Sequence, residues 1–125
     1  VINQSPEYGP AYYSLALLMG EENRIEEALQ YFERASEQMP NNPQVFYNWA
    51  IALQQMAQPT KSEQAYLKAI DLAPDNMRYR YGLSTLYVQQ QQYQKAMEQA
   101  DILQQQLPSD PRVQKLLKLL ERELN

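Results

Sequence analysis

Apolar residues recur along this chain in short stripes at helical spacing, and the stripes come in pairs. Tyr12, Leu15, Ala16 and Met19 stand at i, i+3, i+4 and i+7, one face of a helix, and after a polar break Ala28, Phe32 and Ala35 take up the same spacing. The pairing returns with Phe46, Trp49, Ala50 and Leu53, followed by Ser62, Tyr66 and Ala69. Extended along the chain, the pattern predicts seven helices, over roughly 9 to 21, 25 to 38, 43 to 56, 59 to 72, 77 to 90, 93 to 106 and 111 to 124. Polar breaks fall at Glu22-Asn23-Arg24, at Met56-Ala57-Gln58 and near Gln91-Gln92. Asn23 suits the left-handed residue that ends many helices, and Gln91 suits it less well. Two starts are written plainly, Asn42-Pro43 and Asp110-Pro111, each a capping side chain followed by proline at the first helical position.

The pairs are also in phase. Rows of 34 residues beginning at Gly9, Pro43 and Met77 bring small residues into register, Ala16 with Ala50 and Ser84, then Ala28 with Ser62 and Ala96. Bulky residues align as well, Leu15 with Trp49 and Leu83, then Met19 with Leu53 and Tyr87. Each row ends on a proline, Pro40, Pro74 or Pro108, and Pro6 sits where an earlier row would end. Small residues are expected where two helix backbones approach closely, because a large side chain forced into such a place costs about 1–3 kcal/mol. Beyond the third row, Val113, Leu116, Leu117, Leu120 and Leu124 form one stripe with Lys115, Lys118 and Arg122 on other faces, as expected of a helix that covers the last pair and faces water.

Composition narrows the chemistry. The 125 residues include no cysteine and no histidine, which removes disulfides, thiolate or imidazole metal sites, a cysteine nucleophile and a histidine base. Glu21-Glu22 and Glu26-Glu27 pair carboxylates, but across a helix turn where charges face solvent, and three glycines leave little room for a phosphate loop. No catalytic residue, metal site or cofactor is expected. A net charge of −4 argues against a nucleic-acid partner. The charge is uneven, −5 over residues 1 to 42, −1 over 43 to 76 and +2 over 77 to 125, so one end is acidic and the other mildly basic. The apolar runs are too short for a membrane span and no leader pattern opens the chain, which fits a soluble segment of cytoplasm or periplasm. The chain begins with Val1, and residues 1 to 8 read as the tail of an earlier unit, so a piece of a longer protein is expected.

With these residues in register the chain resembles the tetratricopeptide repeat family, whose unit is a 34-residue helix–turn–helix. Row one supplies Tyr12, Leu15, Ala16, Met19, Ala28, Phe32, Ala35 and Pro40; row two supplies Phe46, Trp49, Ala50, Leu53, Ser62, Tyr66, Ala69 and Pro74. Row three departs, with Arg80 in place of the first aromatic and Ala100 and Leu103 reversing the usual order of large and small, a swap that conserves volume. The resemblance implies an all-α, right-handed superhelical solenoid of antiparallel helix pairs. It would form one domain, with repeats at 9 to 42, 43 to 76 and 77 to 110 and a capping helix over 111 to 125.

The resemblance also implies a concave surface lined by the first helix of each unit. Tyr13, Tyr47 and Tyr81 lie about 100° round from the buried stripe and would form a ladder along it, with Leu17, Ile51 and Thr85 and then Gly20, Gln54 and Val88 as its floor. Tyrosine suits binding because it joins a ring to a hydrogen-bonding tip, and it equally suits packing between helices; spacing alone leaves both open. The family's carboxylate clamp, lysine and asparagine at the fifth and ninth positions, is absent as a set. Asn48 would hold a peptide backbone by its amide, and Arg78, Arg112 and Lys115 would attract acid at the C-terminal end. The expected function is non-catalytic capture of a peptide segment of a partner protein. The alternative is a structural spacer or self-association segment, joined to further copies through the poorly covered N-terminal end.

Overall fold

A computed structural model of the protein describes residues 8–125, so the expected remnant at residues 1 to 8 lies, Tyr8 apart, outside the described residues. The helices are α1 (Gly9–Glu21), α2 (Ile25–Gln38), α3 (Pro43–Gln55), α4 (Pro59–Leu72), α5 (Met77–Gln89), α6 (Tyr93–Gln106) and α7 (Pro111–Leu124). Two of them, α3 and α5, stop one residue earlier than their patterns suggest. They form two compact units, one ending at Ala73 and the other beginning at Pro74. In the first unit α1 packs on α2, α2 on α3 and α3 on α4; in the second α5 packs on α6 and α6 on α7.

Each hairpin is held where its helices cross. Ala16 and Ala28, Ala50 and Ser62, and Ser84 and Ala96 are all completely buried. Where one member is serine, its hydroxyl donates to the backbone carbonyl of the helical residue twelve positions away: Ser62 Oγ to the Ala50 carbonyl at 2.8 Å and Ser84 Oγ to the Ala96 carbonyl at 3.3 Å. The serine thus occupies the space of an alanine and satisfies its own polar atom. Above and below the crossing sit larger groups, Met19 and Phe32 in the first hairpin and Leu83 and Leu103 in the third. Ala100 and Leu103, the reversed pair, are both fully buried.

The three tight turns share one geometry. Residues Asn23, Ala57 and Gln91 have positive φ, at 62°, 55° and 59°. The amide after each reaches back five residues, Arg24 N to the Met19 carbonyl, Gln58 N to Leu53 and Gln92 N to Tyr87, at 2.8–2.9 Å. This is the Schellman arrangement, which satisfies the open carbonyls of a helix end and normally calls for glycine. Ala57 and Gln91 take it at a backbone cost that a glycine would not incur. Starts are fixed by side chains: Asn42 Oδ1 accepts from Gln44 N at 3.0 Å, Asn76 Oδ1 from Arg78 N at 3.1 Å and Asp110 Oδ1 from Arg112 N at 2.8 Å.

Of the expected buried stripes, Leu15 of α1 is exposed and Phe46 and Trp49 of α3 are only half-buried. Leu15 is 38% exposed and Leu18 45%, whereas Leu83, at the position equivalent to Leu15, is fully buried. The equivalent side of α3, at Trp49, has α2 beside it; among the described residues no helix precedes α1 to cover it in the same way.

The crossing makes a sharp prediction about size and polarity. Ser62→Ala removes one hydrogen bond to a carbonyl that its own helix also engages, so it should cost no more than about 1 kcal/mol. Ser62→Leu, forcing the helices apart, should cost about 1–3 kcal/mol or more. Urea denaturation of the two variants checks this, and equal losses would remove the crossing from its central place.

Candidate functional site

The tyrosine-bearing faces can be built up unit by unit. In the first unit Tyr13 and Tyr47 are half-buried, neither fully outside the core nor part of its centre. The Tyr13 ring stands 6.3 Å from Phe32, tilted by 56°, and Tyr47 stands 6.1 Å from Tyr66, tilted by 58°. Each tyrosine of a first helix is therefore propped by the aromatic residue nineteen positions on, in the second helix of its hairpin. The tilted contacts use the attraction of ring edge for ring face and hold the orientation of each phenol. Tyr13 also packs against both clusters of the first unit's core, so of the two uses left open by spacing the ring has at least the packing one, as a lateral part of the core that stays half-buried.

Polar contacts fix the same face. Asn48 Nδ2 donates to the Gln44 carbonyl at 3.0 Å and to the Tyr13 hydroxyl at 2.8 Å, tying α3 to α1. A backbone carbonyl only accepts, so the amide nitrogen must point to it, and both amide hydrogens are committed. The expectation that this amide holds a ligand backbone is corrected to its Oδ1 alone, as an acceptor. The Tyr66 hydroxyl donates to Gln54 Oε1 at 2.6 Å. Burial, with the Tyr47 phenol beside it, pushes the Tyr66 phenol above its ordinary range, so it remains a neutral donor. Ile51 is half-buried, and Leu17, at 38% exposed, is the open apolar side chain of this face.

In the second unit Tyr81 has no aromatic prop, because the residue nineteen positions on is Ala100. The Arg112 guanidinium lies over its ring instead, 5.4 Å from the centroid. Arg112 also approaches Asp110, its Nη2 at 3.2 Å from Oδ2. Its charge is therefore partly met within the chain, a correction to its expected role as an open acid-attracting group. Arg78 and Lys115 are exposed. Thr85 directs its hydroxyl to the Gly82 carbonyl at 2.6 Å, which leaves its methyl as the surface it offers. The props Phe32 and Tyr66 carry no signal of function in themselves; they share an offset of nineteen from Tyr13 and Tyr47, but Tyr81 has Ala100 at that offset, so the spacing alone does not mark them.

Comparison with known proteins bears on the family and the fold. The tetratricopeptide repeat models match residues 9–42 and 47–111. The chain belongs to the tetratricopeptide repeat family. It is similar to the mouse protein O-mannosyl-transferase TMTC3, with 33% identity over 86 residues, 68% of this chain and 9% of that protein. The chain thus spans about a tenth of the length of the curated relatives it matches. Among solved structures it is similar to the first TPR of Spaghetti (RPAP3) bound to the HSP90 peptide SRMEEVD, with a TM-score of 0.87, 14% identity and coverage of 99% and 98% of the two chains. It is likewise similar to the Yersinia enterocolitica secretion chaperone SycD with a peptide of the translocator YopD, with a TM-score of 0.84, 16% identity and coverage of 93% and 94%. The fold is accordingly an all-α tetratricopeptide solenoid. Among the described residues no helix is long and apolar enough to cross a membrane.

The Asp110 cap yields a pH prediction. Hydrogen bonds from the Arg112 side chain and backbone hold its carboxyl below the usual carboxylate range. A lowered folded value means stability present above the unfolded value and lost as pH falls through the folded one. Asp110→Asn keeps a capping oxygen but loses the charge. Wild type should therefore melt above this variant at neutral pH, and the gap should close as pH falls through the carboxylate range; a gap that is constant with pH would show that the charge contributes nothing.

Proposed function

We propose that the tyrosine-bearing face of α1 and α3 binds a peptide segment of a partner protein, that α5 carries a like face within its own unit, and that the chain is a non-catalytic interaction module. We infer for it three repeats at 9–42, 43–76 and 77–110 with a capping helix over 111–125. The observation that carries the reading is the propping of Tyr13 and Tyr47: rings held at half-burial by Phe32 and Tyr66 are ordered before any ligand arrives, so a ligand pays little to fix them. Open Leu17 and half-buried Ile51 add apolar surface in the first unit, and exposed Arg78 and Lys115 give the second unit positive charge. Two proteins of the same fold are seen with peptides, one of them the acidic SRMEEVD, which supports the same use here. The favoured ligand offers apolar and aromatic side chains and acid at one end.

The test is selection of a random-peptide display library on the chain, followed by titration of the enriched peptides. Leu17→Asp and Lys115→Glu alter exposed side chains and should leave the melting temperature unchanged while weakening these peptides about tenfold or more. If nothing is enriched, or the enriched peptides bind both variants like wild type, the tyrosine faces are packing only.

Exposed Leu15 and Leu18 favour self-association as a second reading, since two leucines on one open helix side gain by being covered. Sedimentation velocity should then show mass rising with concentration, and Leu15→Lys with Leu18→Lys should restore a single monomeric boundary. A monomer at every concentration removes this reading.

A further inference from the structure

In the 34-residue register the three hairpins have a second pair of positions nineteen residues apart, one position before the ladder tyrosines. In the first hairpin it is Tyr12 and Tyr31, whose rings stack with centroids 6.4 Å apart and planes 27° apart. In the third it is Arg80 and Gln99, joined by a hydrogen bond of 3.2 Å from Nη1 to Oε1. Each couple thus joins the two helices of its hairpin directly. In the second hairpin the pair is Phe46 and Ala65, and the alanine has no ring to meet the phenylalanine.

The space this leaves is visible as a cleft of about 260 Å³ within the first unit. Phe46, Trp49, Leu53 and Ala65 are its apolar lining, and Glu33 and Lys61 line it with opposite charges. Phe46 and Trp49 are 6.3 Å apart and tilted by 42°, and both line the cleft while only half-buried, so each keeps open surface for a third ring to meet. The ammonium of Lys68 lies 6.0 Å from the Phe46 centroid, matching Arg34 at 5.8 Å from Tyr12 one repeat earlier, so the cation that accompanies the closed couple is present in the open one too. An apolar cavity of about 150 Å³ already accommodates benzene, so the volume suffices for a phenol.

We propose that this cleft is a docking site for a tyrosine side chain of a partner protein, which supplies the ring that Ala65 lacks. The internal template is Tyr31: a phenol stacked on the first-helix aromatic is how this chain itself fills the equivalent place. The lining matches a ring with a polar tip better than a plain phenyl group, since Lys61 offers a donor and Glu33 an acceptor to the phenol oxygen and its proton. The site uses the Phe46 side of α3 and is independent of the Tyr47 side proposed above to bind peptide.

Trp49 is the chain's sole tryptophan, so its indole N–H gives a single, unambiguous signal in a nitrogen–proton correlation spectrum. Titrating the whole chain with p-cresol should move that signal saturably with a midpoint of about millimolar, the range open to so small a ligand, and N-acetyl-tyrosinamide should do the same. N-acetyl-leucinamide should leave it in place. Ala65→Tyr builds the missing ring into the chain and should abolish the response in a protein that still melts cooperatively; Ala65→Leu, a smaller filler, should weaken it severalfold and stands in if the tyrosine variant does not fold. An indole signal indifferent to p-cresol up to its solubility, moved equally by the leucine derivative, or moved undiminished in a folded filled variant overturns the proposal.

Discussion

Everything in this chain depends on how closely two helices can cross. An alanine or serine pair at Ala16 and Ala28, Ala50 and Ser62, or Ser84 and Ala96 lets the backbones approach until a serine hydroxyl reaches the opposing helix's carbonyl. That closeness fixes the hairpin, because larger residues on either side must then interlock around a point that has no freedom of its own. The turn is constrained in consequence. With the crossing set, only a left-handed residue lets the chain reverse in three positions, so Ala57 and Gln91 accept a conformation that their side chains disfavour. Tertiary geometry overrides local preference there, and the Schellman hydrogen bonds offset part of the cost.

A rigid crossing also explains which parts of the sequence could be read. Helix limits and buried small residues follow from spacing, and the structure moves the helix limits by at most one residue, at Gln55 and Gln89. Asn42 and Asp110 are legible as caps because proline follows them. Asn76 performs the same work with methionine following, and asparagine alone is too common a loop residue to stand out. Leu15 misleads for a different reason. Its periodicity is that of a buried residue, but burial needs a helix on that side, and periodicity describes only the helix that carries it.

The tyrosine faces were legible only in part. Their 34-residue interval is visible in the sequence, and so is their displacement from the buried stripe. What the pattern could not convey is that Tyr13 and Tyr47 lean on Phe32 and Tyr66, because those residues already serve the core and a second use of the same ring leaves no separate mark. Binding and packing are compatible uses of such a ring, because packing on one side leaves Tyr13 and Tyr47 half-buried and open on the other. Arg112 shows the same economy, serving as cap partner to Asp110 and as cover for Tyr81 where Ala100 supplies no ring.

Seen this way, the positions nineteen residues apart are where one repeat can differ from the next without disturbing the fold. They lie beside the crossing, so their contents can change chemistry while the backbone stays in place: two stacked tyrosines, an arginine with a glutamine, or a phenylalanine facing an alanine. The same offset one position on gives Tyr13 with Phe32, Tyr47 with Tyr66, and Tyr81 facing Ala100 under an arginine. Two adjacent sets of side-chain couples thus belong to hairpins that share one small-residue crossing and one turn geometry. A missing ring in such a set removes contacts that neighbouring backbone cannot recover by collapsing, because the small-residue crossing already sets the distance between the helices. Open space beside Ala65 is therefore a direct result of the constraint that makes the repeat fold, and so is the ordered presentation of the tyrosines on the adjoining face.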